Sequence, residues 1–189
     1  MSNGGENYMS KKEKPVKIAI TGPESTGKST LAQQLADHYQ TVWVPEFART
    51  YLLRLDRPYN YDDILTIARG QRRSEEAMLP LANHLLFTDT ELLVTKIWCE
   101  VKFGKCHPWI REQVSLRDYD LYLLTDIDLP WEYDPLREDK NTREFLFDRY
   151  KNELQKLGVN FKIVKGSGKE RLNCAIKIIE KEIFGVLNQ

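Results

Sequence analysis

Cysteine is scarce in this 189-residue chain: Cys99, Cys106 and Cys174 are odd in number and lack the paired spacing of a zinc site or a secreted disulfide framework. A small cross-linked scaffold is thereby excluded, and a reducing, cytoplasmic location is expected. Net charge is missing too. Lys plus Arg equals Asp plus Glu at 28 each, so no global field draws the chain to nucleic acid or to an anionic membrane, and neither is expected as a partner. No apolar run exceeds the length of a strand, so neither a signal peptide nor a membrane span is read. Repeats and low-complexity segments are absent. The remainder is one domain's worth of chain, able to bury roughly 70% of its unfolded surface without disulfides or metals.

Against this background, Gly22-Pro23-Glu24-Ser25-Thr26-Gly27-Lys28-Ser29 fits the phosphate-binding pattern GxxxxGK[ST]. VKIAIT before it has the branched apolar composition of a buried strand, and Leu31, Leu35 and Ala36 after it lie on one helical stripe. Strand, glycine loop and helix are in the order the motif requires. Glycine lets the backbone turn its N–H groups toward a triphosphate, and the helix presents its positive end to the same anion. The loop and the adjoining Thr30 are therefore expected to bind ATP, with Lys28 on the β and γ phosphates and the Ser29 hydroxyl on Mg²⁺.

Strand-like and helix-like segments alternate from residue 16 onward, the signature of a parallel sheet covered on both faces. Strands are expected at residues 16–21, 41–45, 84–88, 119–124 and 160–165. Helices are expected at 47–55, 61–81, 91–103, 108–117 and 170–184, with one more after residue 142. Residues 1–15 are polar and aperiodic and read as a disordered tail; residues 16–189 read as the folded domain. Residues 126–142 are charged and proline-containing, too polar for a core. They read either as a lid, whose Arg137, Lys140 and Arg143 would close on the transferred phosphate, or as a solvated loop.

Ligands of an open parallel sheet bind beyond the carboxyl ends of its strands, and here two strands end in acidic residues. Asp89 stands where it can orient Mg²⁺ or activate an attacking hydroxyl, and capping the next helix is its other reading. Glu91 reads as a substrate ligand or as a favourable charge at a helix N-terminus. At the second strand, Glu46 and Arg49 are expected to hold the acceptor's hydroxyls; three residues apart, they can also simply pair along a helix. Ser167, in Gly166-Ser167-Gly168 after the fifth strand, is expected against the nucleotide base. Cys106-His107 has no partner pair at ligand spacing. Trp43, Trp98, Trp109 and Trp131 read as core or lid packing rather than as base platforms, and His38 and His84 as structural.

A GTPase needs a DxxG turn and an NKxD-like base reader, whereas the matching stretches here are Asp89-Thr90-Glu91-Leu92 and Thr125-Asp126-Ile127-Asp128. A small-molecule kinase is the better account. The expected architecture is α/β, a P-loop kinase-like three-layer sandwich with a five-stranded parallel sheet and a lid segment. Two other readings remain open: a kinase of another nucleoside or nucleotide, and a nucleotide-dependent binding switch with slow ATPase activity.

The chain resembles the ribosylnicotinamide kinase domain of the NadR family over about residues 16–185. The resemblance rests on the P-loop, Glu46-Phe47-Ala48-Arg49, Gly70-Gln71-Arg72, Asp89-Thr90-Glu91, Gly104-Lys105-Cys106-His107-Pro108 and the WxxDxLR run from Trp131 to Arg137. It implies ATP- and Mg²⁺-dependent phosphorylation of the 5′-hydroxyl of nicotinamide riboside, giving nicotinamide mononucleotide for NAD salvage, with Arg137 as a lid arginine. At the two places where the family holds the nicotinamide ring between aromatic side chains, this chain has Pro45 and Arg73, leaving the acceptor base open. The family's full-length proteins carry an adenylyltransferase domain before the kinase, and only the tail precedes Val16 here, so a stand-alone kinase is expected.

Overall fold

The computed structural model describes residues 14–116, 118–136 and 142–185, so most of the expected tail, together with Arg137 and Lys140, lies outside the described residues. The sheet comprises β1 (Val16–Thr21), β2 (Trp43–Val44), β3 (Leu85–Asp89), β4 (Leu121–Thr125) and β5 (Phe161–Val164). All pairs are parallel, in the order β2-β3-β1-β4-β5. The helices are α1 (Lys28–His38), α2 (Phe47–Leu53), α3 (Tyr61–Met78), α4 (Leu92–Phe103), α5 (Pro108–Ser115), α6 (Arg143–Leu157) and α7 (Gly168–Glu182). A single 3₁₀ turn, Leu79–Leu81, continues α3. None of the described helices is long and apolar enough to cross a membrane.

The period-two pattern of the central strands divides the core into two layers. Ile18, Ile20, Leu121 and Leu123 face one way, onto Leu31, Leu35 and Ala36 of α1 and Ala175 and Ile179 of α7. Ala19, Tyr122 and Leu124 face the other way, onto Ile64, Ile67 and Ala68 of α3, Leu93 and Ile97 of α4, and Leu154 of α6. Each fully buried Leu or Ile contributes about 1.5–3 kcal/mol relative to exposure, so these two layers dominate the stability of the domain.

Boundaries moved where side chains take over backbone hydrogen bonds. At the sheet edge, β2 is only two residues long: the Thr41 hydroxyl donates to Leu85 O (2.6 Å) and accepts from Asn83 N–H (2.9 Å), doing in one side chain what a longer ladder would do. Strand β4 begins two residues later than its apolar run, because the Asp120 carboxylate accepts the Lys17 backbone N–H (2.8 Å). Helix α3 starts at Tyr61 through a capping box. Asn60 Oδ1 accepts from Asp62 and Asp63 N–H, and Asp63 accepts from Asn60 N–H at 2.7 Å. The Arg57 guanidinium and the Tyr51 hydroxyl also donate to Asp63, which holds that carboxyl well below the usual range, mostly through Arg57.

One contact decides how α2 meets α3. A Cβ placed on Gly70 would sit 2.1 Å from Phe47 Cε1, so the ring of Phe47 lies directly on the glycine backbone. Alanine in a helix interior ordinarily gains about 0.5–1 kcal/mol over glycine; this clash reverses the sign. Gly70→Ala is expected to lose about 1–2 kcal/mol through overpacking, a fall of several degrees in Tm on thermal denaturation.

Candidate functional site

The loop between β1 and α1 is built around two constraints on its glycines. Gly22 has φ +133°, and a Cβ there would stand 2.7 Å from Thr125 Oγ1; Gly27, at φ +75°, turns the chain into α1 without a side-chain cap. The first N–H groups of α1 therefore have no side-chain acceptor from the cap, which is the arrangement that receives an anion. Lys28 Nζ donates to Gly22 O (2.9 Å) and Pro23 O (2.7 Å), lying back along the loop. Thr26 is buried beneath it, its hydroxyl 2.8 Å from Pro23 O and 2.7 Å from the Thr125 hydroxyl, so this side chain braces the loop against the end of β4.

A pocket of about 590 Å³ opens over this loop. All of residues 22–31 line it, with Glu46, Ala48, Arg49 and Leu52 on one side, Val94, Ile97 and Trp98 of α4 behind, Leu129 to Leu136 in part, Leu146 and Tyr150 of α6, and Gly168 and Arg171 of α7. Thus the glycine loop, the corner after β2 and the segment after β4 share one cavity. Thr90 lines it too, and Asp89 lies buried just below, 1% exposed.

Burial raises the Asp89 carboxyl above the ordinary range, while Lys28, Ser29 and Thr90 oppose that rise. Its Oδ1 accepts from the Thr90 hydroxyl (3.1 Å), but its buried Oδ2 has no hydrogen-bond partner. The nearby Ser29 hydroxyl favours the ionised form without bonding that oxygen. An orphaned carboxylate oxygen close to a serine hydroxyl at a phosphate loop suits a hard cation that takes oxygen ligands, such as Mg²⁺. Glu46 occupies the N-cap position of α2, yet its side chain makes no cap bond. Its carboxyl is raised, chiefly by burial; Asp89 and Glu24 push the same way, and Lys28 and Arg49 oppose. Three carboxylates and one ammonium thus act on each other across the pocket.

Gln71 fixes the relation of these groups. Buried at 2% exposure, it accepts from Phe47 N–H (2.8 Å) and donates to Asp89 O (3.3 Å), joining the corner that carries Glu46 to the end of β3. The Gly70-Gln71 pair thereby has a structural account: the glycine admits Phe47 and the glutamine binds its backbone.

Several site residues sit differently from expectation. Glu91 does not line the pocket; its carboxylate, 2% exposed, caps α4 through Leu93 N–H and accepts from the Thr21 hydroxyl (2.9 Å). Ser167 is also outside the lining, its carbonyl accepting the first turn of α7, while the neighbouring Gly168 and Arg171 do line the pocket. Arg49 pairs with Asp134 (2.8 Å) across the pocket mouth rather than with Glu46 along the helix. Arg143 donates to Ser25 O, Ile127 O and Leu129 O at 3.3, 3.3 and 2.9 Å, tying the segment after β4 to the glycine loop. Trp98 lines the pocket instead of only packing in the core. Lys105 and His107 pack on Tyr61, His107 stacked at 3.7 Å with its Nε2 3.0 Å from Tyr61 O, so the Gly-Lys-Cys-His-Pro run anchors the α4–α5 turn to α3.

Arg171 carried no sequence signal. Its guanidinium, buried in the body of the protein, donates to Gly166 O (2.8 Å), Thr26 O (3.1 Å) and Asp126 O (3.3 Å) and pairs with Asp128, which also accepts Gly166 N–H. One side chain therefore joins the glycine loop, the β4 end and the β5 end.

Comparison with known proteins supplies relatives for this geometry. Residues 17–171 match the AAA domain family. The trifunctional NAD biosynthesis/regulator protein NadR of Salmonella typhimurium is 32% identical over 124 residues, 64% of this chain and 30% of that protein, so the match spans under a third of the relative's length. A crystal structure of NadR in complex with NR superposes with a TM-score of 0.77 at 21% identity, covering 93% of this chain and 52% of that one. A second NadR structure, with NAD and AMP-PNP, gives 0.72 at 21% identity over 93% and 51%. The fold is that of a P-loop kinase, an α/β sandwich on a five-stranded parallel sheet.

The Glu91 carboxyl makes the domain's stability depend on pH. Burial pushes its folded-state value up to about 7 from 4.5, despite bonds from Leu93 and Thr21. Protonation is therefore favoured by folding, and the stabilisation present below pH 4.5 is lost as pH rises toward 7. Urea unfolding between pH 5 and 8 is expected to show the wild type losing about 1–3 kcal/mol relative to Glu91→Gln, which does not titrate.

Proposed function

The chain belongs to the AAA domain family, and on that premise we propose that it is an ATP-dependent kinase transferring the γ-phosphate to the 5′-hydroxyl of a nucleoside, nicotinamide riboside giving nicotinamide mononucleotide in NAD salvage. The observation that carries this reading is the continuity of one pocket from the glycine loop to Glu46 and on to an apolar wall. A switch that only binds and slowly hydrolyses ATP has no use for an acidic corner and an apolar chamber beside its phosphates. The relationship to NadR, a NAD biosynthesis protein, supports the choice of acceptor.

In the proposed reaction the triphosphate lies on the loop N–H groups and the N-terminus of α1, and Lys28 exchanges Gly22 O and Pro23 O for phosphate oxygens. Ser29 and the unpartnered Asp89 oxygen are the groups that would hold Mg²⁺, which supplies charge neutralisation on the β and γ phosphates. Glu46 accepts the hydrogen of the acceptor hydroxyl; burial and the neighbouring Asp89 and Glu24 raise its proton affinity for that task. Arg49 holds the acceptor's edge of the pocket against Asp134. Arg143 keeps the lid segment on the loop through backbone carbonyls. Arg137, the lid arginine implied by the family resemblance, is outside the described residues and remains the proposed group over the transferred phosphate. The adenine end of the pocket falls to Gly168 and Arg171, next to the α7 N-cap residue Ser167.

A kinase of another nucleoside is the second reading, favoured by Pro45 and Arg73, both exposed, at the places of the ring-holding aromatics. Incubation with ATP, Mg²⁺ and individual nucleosides, followed by measurement of ADP, separates the possibilities. Nicotinamide riboside is expected to stimulate ADP release most strongly. Preference for a different nucleoside selects the second reading, and slow release indifferent to every acceptor overturns the kinase. Lys28→Ala and Asp89→Asn are each expected to lower acceptor-dependent turnover by at least about 100-fold with the Tm little changed.

A further inference from the structure

Asp89 and Glu91 stand two residues apart at the end of β3, and in a continuing strand that spacing puts both side chains on one face. Here they serve different places. Asp89 lies just below the pocket with its Oδ2 unpartnered, whereas Glu91 accepts from the Thr21 hydroxyl (2.9 Å) and from Leu93 N–H at the start of α4. The residue between them makes the turn: Thr90 has φ +63°, in the left-handed region. Four described residues other than glycine have positive φ, namely Ser25, Gln40, His84 and Thr90, and of these Thr90 alone is β-branched and alone is buried. A β-branched side chain is poorly suited to that backbone, which glycine adopts freely. The conformation is held from both sides. Thr90 N–H donates to Ile20 O (3.2 Å), and the Glu91 carboxylate is fixed at both of its oxygens. What threonine adds over glycine is a hydroxyl. Thr90 lines the pocket, and its hydroxyl donates to Asp89 Oδ1 (3.1 Å).

We infer that Thr90 is a positioning residue for the phosphoryl transfer: its left-handed backbone parts Asp89 from Glu91, and its hydroxyl holds one Asp89 oxygen so that the other is presented to the metal-bound triphosphate. This rests on the kinase reading above and deepens it. The terminal torsion of an aspartate is broad, so a carboxylate without a tether offers either oxygen over a range of angles. With Oδ1 tied to Thr90, Oδ2 has a defined place before any ligand arrives, and a hard cation that takes oxygen ligands meets it without reordering the side chain. The backbone turn does the complementary job. It sends the second carboxylate to the N-terminus of α4, so a single carboxylate, not a pair, is left below the phosphate loop at this strand end.

The test compares the wild type with Thr90→Ser, Thr90→Val and Thr90→Gly in two measurements: calorimetric binding of AMP-PNP across a Mg²⁺ titration without acceptor, and turnover with ATP, Mg²⁺ and nicotinamide riboside. Serine keeps the hydroxyl, valine keeps the shape and the backbone penalty, and glycine removes both hydroxyl and penalty. Thr90→Val and Thr90→Gly are each expected to need about 10-fold more Mg²⁺ for half-maximal AMP-PNP binding and to lose about 10-fold in kcat, the loss of one hydrogen bond to a charged group. Their acceptor KM should stay within about twofold, because the acceptor corner at Glu46 and Arg49 is untouched. Thr90→Ser is expected to recover most of both losses. A merely structural role groups the variants differently, with glycine matching the wild type because its backbone is relaxed and valine falling together with its Tm. If Thr90→Val does not fold, Thr90→Gly and Thr90→Ser decide the matter. Glycine equal to the wild type in Mg²⁺ requirement and kcat, or serine as impaired as glycine, overturns the role of Thr90 and leaves the kinase standing. Mg²⁺-dependent AMP-PNP binding that follows the hydroxyl, with no acceptor-dependent turnover in the wild type, overturns the kinase reading while supporting the positioning of Asp89.

Discussion

The buried amide of Gln71 joins the two strand ends that bring carboxylates to the pocket. Through Phe47 N–H it fixes the start of α2, where Glu46 sits, and through Asp89 O it fixes the end of β3. Each bond contributes only about 0.5–1.5 kcal/mol, but an unsatisfied buried partner would cost about 1–3 kcal/mol. The penalty for losing the register therefore exceeds the gain from making it. The bridge exists only because Gly70 lets the Phe47 ring lie on the helix backbone. A side chain at residue 70 would push α2 away, and the distance between Glu46 and Asp89 would follow.

The opposite side of the pocket is held in a different way. There the parallel strands end in backbone carbonyls with no further ladder, and charged side chains take them up. Arg171 collects Gly166 O, Thr26 O and Asp126 O, while Arg143 collects Ser25 O, Ile127 O and Leu129 O. A guanidinium has enough donors to serve several carbonyls at once, which a lysine cannot do with fixed geometry. The segment after β4 is thus moored at its base by Arg143 and farther along by the Arg49–Asp134 pair. The first mooring is part-buried and multidentate. The second has Arg49 more than half exposed and is worth at most about 1 kcal/mol, so it is the weaker of the two.

How much of this was legible in the sequence depended on whether a constraint is local. The glycine loop was readable because a φ of +133° at Gly22 and of +75° at Gly27 can be met cheaply only by glycine. The central strands β1, β3 and β4 were readable because burial on both faces demands continuous apolar runs, and errors were confined to strand ends, where Thr41 and Asp120 side chains replace ladder bonds. The corner at Glu46 and Arg49 was visible as a cluster, but the partner of Arg49 was not, since Asp134 is distant in sequence and the helix-neighbour alternative was equally local. Glu91 looked like a ligand because it follows Asp89 by two residues; in the structure that spacing turns it away from the pocket and onto the α4 N-terminus. Arg171 was invisible because three carbonyls from separate loops leave no pattern in sequence.

The electrostatics of the pocket give a reason for these groups to be arranged as they are before any ligand arrives. Burial penalises the charged forms of both Glu46 and Asp89, and Asp89 together with Glu24 raises the cost of ionising Glu46 further. Lys28 is the one cation that opposes both. If Lys28 turns to a triphosphate, as proposed, it carries away the charge that steadied the carboxylates, and an added anion makes the imbalance worse. Only a cation entering with the nucleotide restores it, and the unpartnered Asp89 oxygen is where the deficit is greatest. On that proposal the carboxylates themselves would disfavour nucleotide without a divalent ion and would favour a metal-bound nucleotide. The same burial and neighbouring carboxylates leave Glu46 with a raised proton affinity at the boundary between the phosphate end and the apolar end, where on the proposed reaction an acceptor hydroxyl would have to lose its proton.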